Sequence, residues 1–310
     1  MARVISVEHI VVSEFNSNAV FILRLSEIDL VNAVTVNWSL SALTASSGGD
    51  FTNGSGVVTF APGIVEQMIS VPIFNDGAFE APETFQLNLS TPSGNAQIGN
   101  VRTMATIIDN DAPTGTPVVT INDLVVDETT KEASFVIVLD RPSSGVVSMN
   151  YVTQDGAAVA GSDYLASSGS LNFAAGETAK TVKVSLLNDS VAELSEDFSL
   201  VLSALSGATT LDGVGTAIIF ENDAPAVGNS NLFVDDIVVG ESQTYADFLV
   251  RLDKPNTAAI TVNVSTSSGT AGTADFFSAY DSLTFAAGEM VKTVRVVLKD
   301  DATVESPEDF

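Results

Sequence analysis

Asn188-Asp189-Ser190-Val191-Ala192-Glu193-Leu194-Ser195-Glu196-Asp197-Phe198 decides the reading of this chain, because it occurs three times. The first copy is Asn75-Asp76-Gly77-Ala78-Phe79-Glu80-Ala81-Pro82-Glu83-Thr84-Phe85, and the third is Asp300-Asp301-Ala302-Thr303-Val304-Glu305-Ser306-Pro307-Glu308-Asp309-Phe310. Each copy sets an acid, a glutamate four residues on, a second glutamate three further, and a phenylalanine two beyond that. A polar acidic loop runs straight into an apolar alternation that opens on the phenylalanine. The loop reads as a cation site and the rest of each repeat as its scaffold.

Other motifs recur in step. Phe60-Ala61-Pro62-Gly63 returns as Phe173-Ala174-Ala175-Gly176-Glu177 and Phe285-Ala286-Ala287-Gly288-Glu289. Asp50-Phe51 returns as Asp163-Tyr164 and Asp275-Phe276, and Asp109-Asn110-Asp111 as Glu221-Asn222-Asp223. The period of about 113 residues is that of a domain and not of a solenoid unit. Three tandem domains are expected at 1–112, 117–224 and 230–310, the third incomplete at its C-terminal side. The chain reads as starting at a repeat and ending inside one, as a section of a longer protein.

Within the second repeat, period-two alternation marks strands at 118–126, 133–140, 146–153, 170–173, 179–187, 197–205 and 215–220. Glycine and proline fall between them, where turns need them. No window carries a helical period with caps. The expected fold is all-β: tandem immunoglobulin-like, seven-stranded antiparallel sandwiches. Trp38 lies on a strand and reads as core.

Alternating strand direction sorts the loops by end. The loops after the first, third and fifth strands, and the exit from the seventh, share one end of the sandwich. Nearly every recurring acid falls there. In the first repeat these are Glu14, Asp50, Asp76, Glu80, Glu83, Asp109 and Asp111, and in the second Glu128, Asp163, Asp189, Glu193, Glu196, Glu221 and Asp223. The third offers Glu241, Asp275, Asp300, Asp301, Glu305 and Glu308. Two like charges at 4 Å cost about 4 kcal/mol at an effective dielectric of 20, so such a gathering calls for a cation. Calcium accepts six to eight oxygens in flexible geometry, whereas zinc and copper want His or Cys. The chain has one histidine and no cysteine.

Composition agrees. The 310 residues carry 12 basic and 39 acidic side chains, a net charge of −27, which repels nucleic acid and anionic membranes. With 45% hydrophobic residues the chain has the content for packed cores. No apolar stretch is long enough to span a bilayer, and the N-terminal residues alternate like a strand and unlike a signal peptide. Catalysis is not expected. His9 is the sole histidine, reads as a surface residue, and has no triad partners in sight.

Together the motifs resemble the Calx-beta domain. The residues that carry the likeness are Glu14, Glu128 and Glu241, the Gly161-Ser162-Asp163-Tyr164 run, the Phe-Ala-x-Gly turn, the threefold acidic loop and the closing Asp-Asn-Asp. The resemblance implies a seven-stranded sandwich with calcium at the distal loops. The chain departs from the family's frequent Asp-Asp pair, which only Asp300-Asp301 keeps. Fewer carboxylates imply fewer or weaker ions in the first two repeats. The implied function is a calcium-stiffened structural and interaction module of an extracellular or cell-surface protein, in adhesion. The alternative is a calcium-sensing regulatory region of a membrane transporter or signalling protein. Expected partners are calcium ions, neighbouring repeats, and other surface proteins or glycans.

Overall fold

The computed structural model describes residues 3–111, 115–191, 193, 195–210, 213–220, 222–223, 230–234, 237, 239, 244–299, 308 and 310. The first repeat runs β1 (Arg3–Val7), β2 (Ile10–Ser13), β3 (Asn18–Leu25), β4 (Val34–Ala42), β5 (Ser55–Phe60), β6 (Glu66–Pro72), β7 (Glu83–Ser90), β8 (Ala96–Ile98) and β9 (Arg102–Ile108). Two sheets face each other, in the orders β6-β3-β1-β8 and β2-β9-β7-β4-β5. The second repeat repeats this with β10 (Val118–Ile121), β11 (Leu124–Asp127), β12 (Glu132–Leu139), β13 (Val147–Asp155), β14 (Ser168–Phe173), β15 (Ala179–Ser185), β16 (Glu196–Ser206), β17 (Thr209–Thr210) and β18 (Val214–Phe220). Its sheets are ordered β15-β12-β10-β17 and β11-β18-β16-β13-β14. The third contributes β19 (Leu232–Val234), β20 (Tyr245–Leu252), β21 (Ile260–Ser265), β22 (Tyr280–Phe285) and β23 (Val291–Val297).

The alternation read from sequence is what the sandwich buries. In β12, Ala133, Phe135, Ile137 and Leu139 all point into the core while their neighbours do not. Each of the first two repeats has its own hydrophobic cluster, one built around Phe21, Phe60 and Phe85, the other around Phe135, Phe173 and Phe198. Burying one such ring contributes about 1.5–3 kcal/mol.

The first strand differs from expectation. The alternation predicts a single strand over 118–126; the structure breaks it at Asn122-Asp123 into β10 and β11, which lie in opposite sheets. The reason is a slip in phase. Val119 and Ile121 face the core, and then Leu124 and Val126 do. A strand of period two cannot keep both sets inward unless the chain crosses to the other sheet. Ile5 and Val7 followed by Ile10 and Val12 show the same slip in the first repeat. At each crossing a side chain holds the last strand. His9 Nδ1 accepts the Met104 N–H at 3.0 Å, and Asp123 Oδ1 accepts the Thr216 N–H at 2.7 Å. After the crossing β2 and β11 pair in parallel with β9 and β18. Parallel pairing is what seven alternating directions require of the first and last strands.

One further reading is corrected: His9 is half-buried, with its Nε2 enclosed, and is not a surface residue. Burial, then the nearby Arg295 guanidinium, pushes its imidazole down to about 3, so it is neutral at pH 7. Trp38 is half-buried and packs against the core of the first repeat, on the same face of β4 as Val36 and Leu40 and over Gly56, where a Cβ would lie 2.9 Å from the indole nitrogen.

Candidate metal centre

The acidic loops of the first repeat converge as two groups of carboxylates. Glu14, Asp76 and Asp111 bring one oxygen each within 4.8 Å of one another, and so do Asp50, Glu80 and Glu83. The second repeat copies both: Glu128 with Asp189 and Asp223, and Asp163 with Glu193 and Glu196. The sequence reads the acidic loop as one cation site. The structure splits it, sending the leading aspartate to one group and both glutamates to the other.

Each half is held by the scaffold. In the first group Glu14 leaves the end of β2, and its Oε1 accepts the Asp76 N–H at 3.3 Å. Glu128 Oε1 accepts the Asp189 N–H at 3.1 Å in the same way. The aspartate folds back on its own loop: Asp76 Oδ1 accepts the Ala78 N–H, and Asp189 Oδ1 the Val191 N–H, both at 2.6 Å. Asp109 and Asp111 arrive from the exit of β9, where Asp109 Oδ2 accepts the Asp111 N–H at 3.1 Å.

The second group depends on an aromatic stack. Phe51 follows Asp50, and Phe85 follows Glu83 by two; their rings stack at 4.4 Å. Tyr164 stacks on Phe198 at 4.1 Å, and Phe276 on Phe310 at 4.4 Å. Each stack ties the loop after the third expected strand to the acidic loop, so it fixes the aspartate against the two glutamates. The sequence shows both aromatics in every repeat; their joint recurrence is the signal that would have paired them. The backbone agrees, since the Phe74, Leu187 and Lys299 amides donate to the carbonyls of Asp50, Asp163 and Asp275.

The electrostatics are those of crowded, partly dehydrated carboxylates. Burial first, with Asp109 and Asp111 adding to it, pushes the Glu14 carboxyl up to about 7. Burial and then Asp50 push Glu83 up to about 8. Glu80 and Asp111 are also raised, again by dehydration first and by neighbouring acids second. Glu14 Oε2 and Asp111 Oδ2 are buried and accept no hydrogen bond from the protein. An all-carboxylate donor set with unsatisfied buried oxygens fits a hard divalent cation.

In the third repeat Asp275 is half-buried and Glu308 is exposed. Glu221, Glu241, Asp300, Asp301 and Glu305 lie outside the described residues.

The turn at the opposite end has a different role. Glu177 Oε2 accepts the Ala174 N–H at 2.9 Å and its Oε1 pairs with Lys180 Nζ at 2.6 Å. Glu289 does the same with Ala286 and Lys292. These turns, with Gly176 and Gly288 at φ near 88° and 87°, seat on the acidic end of the preceding repeat. The Thr178 N–H donates to Ser13 Oγ at 3.1 Å and its hydroxyl to the Ile108 carbonyl at 3.2 Å. One junction later the Met290 N–H donates to Asp127 Oδ2. Ser13 and Asp127 each directly precede the first glutamate of an acidic group.

The family model for the Calx-beta domain matches residues 3–112, 115–224 and 221–310. The chain belongs to the Calx-beta family. These Calx-beta repeats are 29% identical over 233 residues to adhesion G-protein coupled receptor V1 of Danio rerio, covering 67% of this chain and 4% of that protein. They are 27% identical over 174 residues to the sodium/calcium exchanger Calx of Drosophila melanogaster, covering 56% of this chain and 18% of the exchanger. Human extracellular matrix organizing protein FRAS1 is 26% identical over 290 residues, which cover 85% of this chain and 7% of that protein. The matched Calx-beta repeats are thus a small part of each relative's length. A solved structure described as calcium binding domain CBD12 of CALX1.1 aligns at 23% identity and TM-score 0.35, covering 65% of this chain and 79% of that one.

Proposed function

We propose that this chain is a calcium-binding structural module of a large extracellular or cell-surface protein, three repeats at 1–112, 117–224 and 230–310 in which ions at the acidic ends stiffen the array, in adhesion. Calcium would be held in the first repeat by Glu14, Asp76 and Asp111, with Asp109 beside them, and by Asp50, Glu80 and Glu83. In the second it would be held by Glu128, Asp189, Asp223 and Glu221, and by Asp163, Glu193 and Glu196. The third would use Glu241, Asp275, Asp300, Asp301, Glu305 and Glu308. The ion supplies charge neutralisation to carboxylates that otherwise repel.

The observation that carries this reading is the junction. At both junctions the residue just before the first glutamate of an acidic group accepts an amide N–H from the next repeat. Ordering that group orders the joint. The test is a thermal melt and small-angle scattering of the full chain in EDTA, with calcium returned and magnesium as control. Calcium should raise the midpoint, by about 2.7 kcal/mol of stability at a hundredfold excess over Kd, and narrow the spread of inter-repeat distances. Asp189→Asn with Glu193→Gln should abolish the second repeat's share. No shift at millimolar calcium refutes the assignment. A large calcium-driven change in mean inter-repeat angle would instead favour the calcium-sensing alternative, regulatory domains of a membrane transporter or signalling protein.

A further inference from the structure

The third repeat touches the first, which is not its neighbour in the chain. The contact is made by β22, an edge strand that pairs with β21 on its other side. Its Thr284 N–H donates to the Gly99 carbonyl at 2.7 Å, and Leu283 pairs with Asn100 as an isolated antiparallel bridge. The Asp281 carboxylate accepts the Val101 N–H and has Arg102 of the first repeat as a counter-charge. An edge strand presents N–H and C=O groups that a second backbone can complete, and the turn between β8 and β9 does so here.

The other repeats serve as the control. Thr284 is 4% exposed. Thr59 and Asn172, which precede the same phenylalanine in the first and second repeats, are exposed. Asp281 stands where those repeats have Gly56 and Gly169. The facing surface of the first repeat is covered too. Met104 and Thr106 are buried, whereas their counterparts in the second repeat are half-buried Thr216 and exposed Ile218. Gln86 and Met104 border a cavity of only about 30 Å3 with Phe277 and Val297 of the third repeat.

This contact can part without loss of either core. The hydrophobic cluster of the first repeat holds no residue of the third, and the two clusters of the third hold none of the first. What lies buried along β22 and its neighbour β23 includes Asp281, Thr284 and Lys292, all polar. Such groups rehydrate on separation, and a hydrogen bond exchanged for one to water costs about 0.5–1.5 kcal/mol net.

We propose that β22 and the β8–β9 turn form a clasp, which closes the three repeats into a compact unit and opens, with the sandwiches intact, to let the chain extend. The clasp does not rest on the calcium reading, since Gly99, Val101, Asp281 and Thr284 belong to no acidic group.

Hydrogen exchange and small-angle scattering of the full chain, in calcium, test it. The Thr284 and Val101 amides should be protected, yet exchange about tenfold or more faster than the core amides of Leu87 and Phe248, as expected of a local opening. Thr284→Pro removes the donor at an outward-facing edge position, where proline is tolerated. It should speed Val101 exchange about fivefold and raise the radius of gyration, with core exchange unchanged. Val101→Cys with Ser282→Cys places two thiols opposite each other in the register of the bridge, in a chain with no other cysteine. Oxidised, this second variant should slow Thr284 exchange about tenfold at an unchanged radius of gyration, and reduction should restore the rate. The proposal is overturned if the Thr284 and Val101 amides exchange like unprotected ones, or only together with the core. It is equally overturned if Thr284→Pro folds and leaves Val101 exchange and the radius of gyration unchanged, or if the cysteine pair does not oxidise or does not slow Thr284.

Discussion

Calcium binding by the first repeat should be strongly proton-linked. Calcium needs ionised carboxylates, yet Glu14 and Glu83 hold their protons well above the ordinary 4.5 because burial and neighbouring acids disfavour their charge. Glu14, at about 7, is almost fully ionised at pH 8 and mostly protonated at pH 6. The affinity of the group with Asp76 and Asp111 should therefore fall by about tenfold between pH 8 and pH 6. Glu83, at about 8, gives a fall of about fiftyfold for the group with Asp50 and Glu80 over the same interval. Isothermal titration of the full chain at both pH values, in two buffers of different ionisation heat, measures the affinity and counts the protons released. Stability without calcium runs the opposite way. A carboxyl whose folded pKa is raised contributes fully below its unfolded value and loses that contribution as pH rises through the folded value. In EDTA these two groups should lower the melting midpoint from pH 5 to pH 8, and calcium should remove that slope. Affinity unchanged between pH 6 and pH 8, with no proton released, would refute the reasoning.

Three further outcomes follow from the packing. Phe198→Ala removes a fully buried ring that stacks on Tyr164, and should cost about 3–5 kcal/mol in urea unfolding while also abolishing binding by Asp163, Glu193 and Glu196. Gly56→Ala drives a Cβ into Trp38 and should cost about 1–3 kcal/mol, read as a fall in midpoint with a shift in tryptophan emission. Asp123→Ala removes the acceptor of the exposed Thr216 amide and should cost about 0.5–1.5 kcal/mol, with faster hydrogen exchange confined to the β11–β18 edge. Wild-type exchange at that edge in the variant would show that the crossing is held by other means.

The sandwich was legible because alternation is a local signal. Phe135, Ile137 and Leu139 announce one face of β12 without reference to any other strand. The acidic end was legible too, because strand direction sorts loops by parity alone. The break in the first strand was in plain view as a phase slip from Val119 and Ile121 to Leu124 and Val126. It is hidden because a nine-residue stretch with six apolar residues also reads as one strand, and the choice of sheet on either side of Asn122-Asp123 depends on distant partners. His9 was misplaced for a related reason. A lone histidine between two strand-like runs has no periodic neighbour, and the charges that act on it, Arg295 and Asp247, are far along the chain.

The sequence by itself determined that the chain is three copies of one β-sandwich with carboxylates at one end, because repetition, period and charge are written along the chain. Tertiary structure decided how those carboxylates divide. Asp76 and Glu80 are four residues apart, yet they join different groups, because Glu14 at the end of β2 draws one and the Phe51–Phe85 stack fixes the other. Structure also decided what meets across the repeats: the Gly176 turn against Ser13, and His9 against Arg295. Contacts of that kind arise from shape and hydrogen-bond geometry between residues far apart in the chain, and no local pattern encodes them.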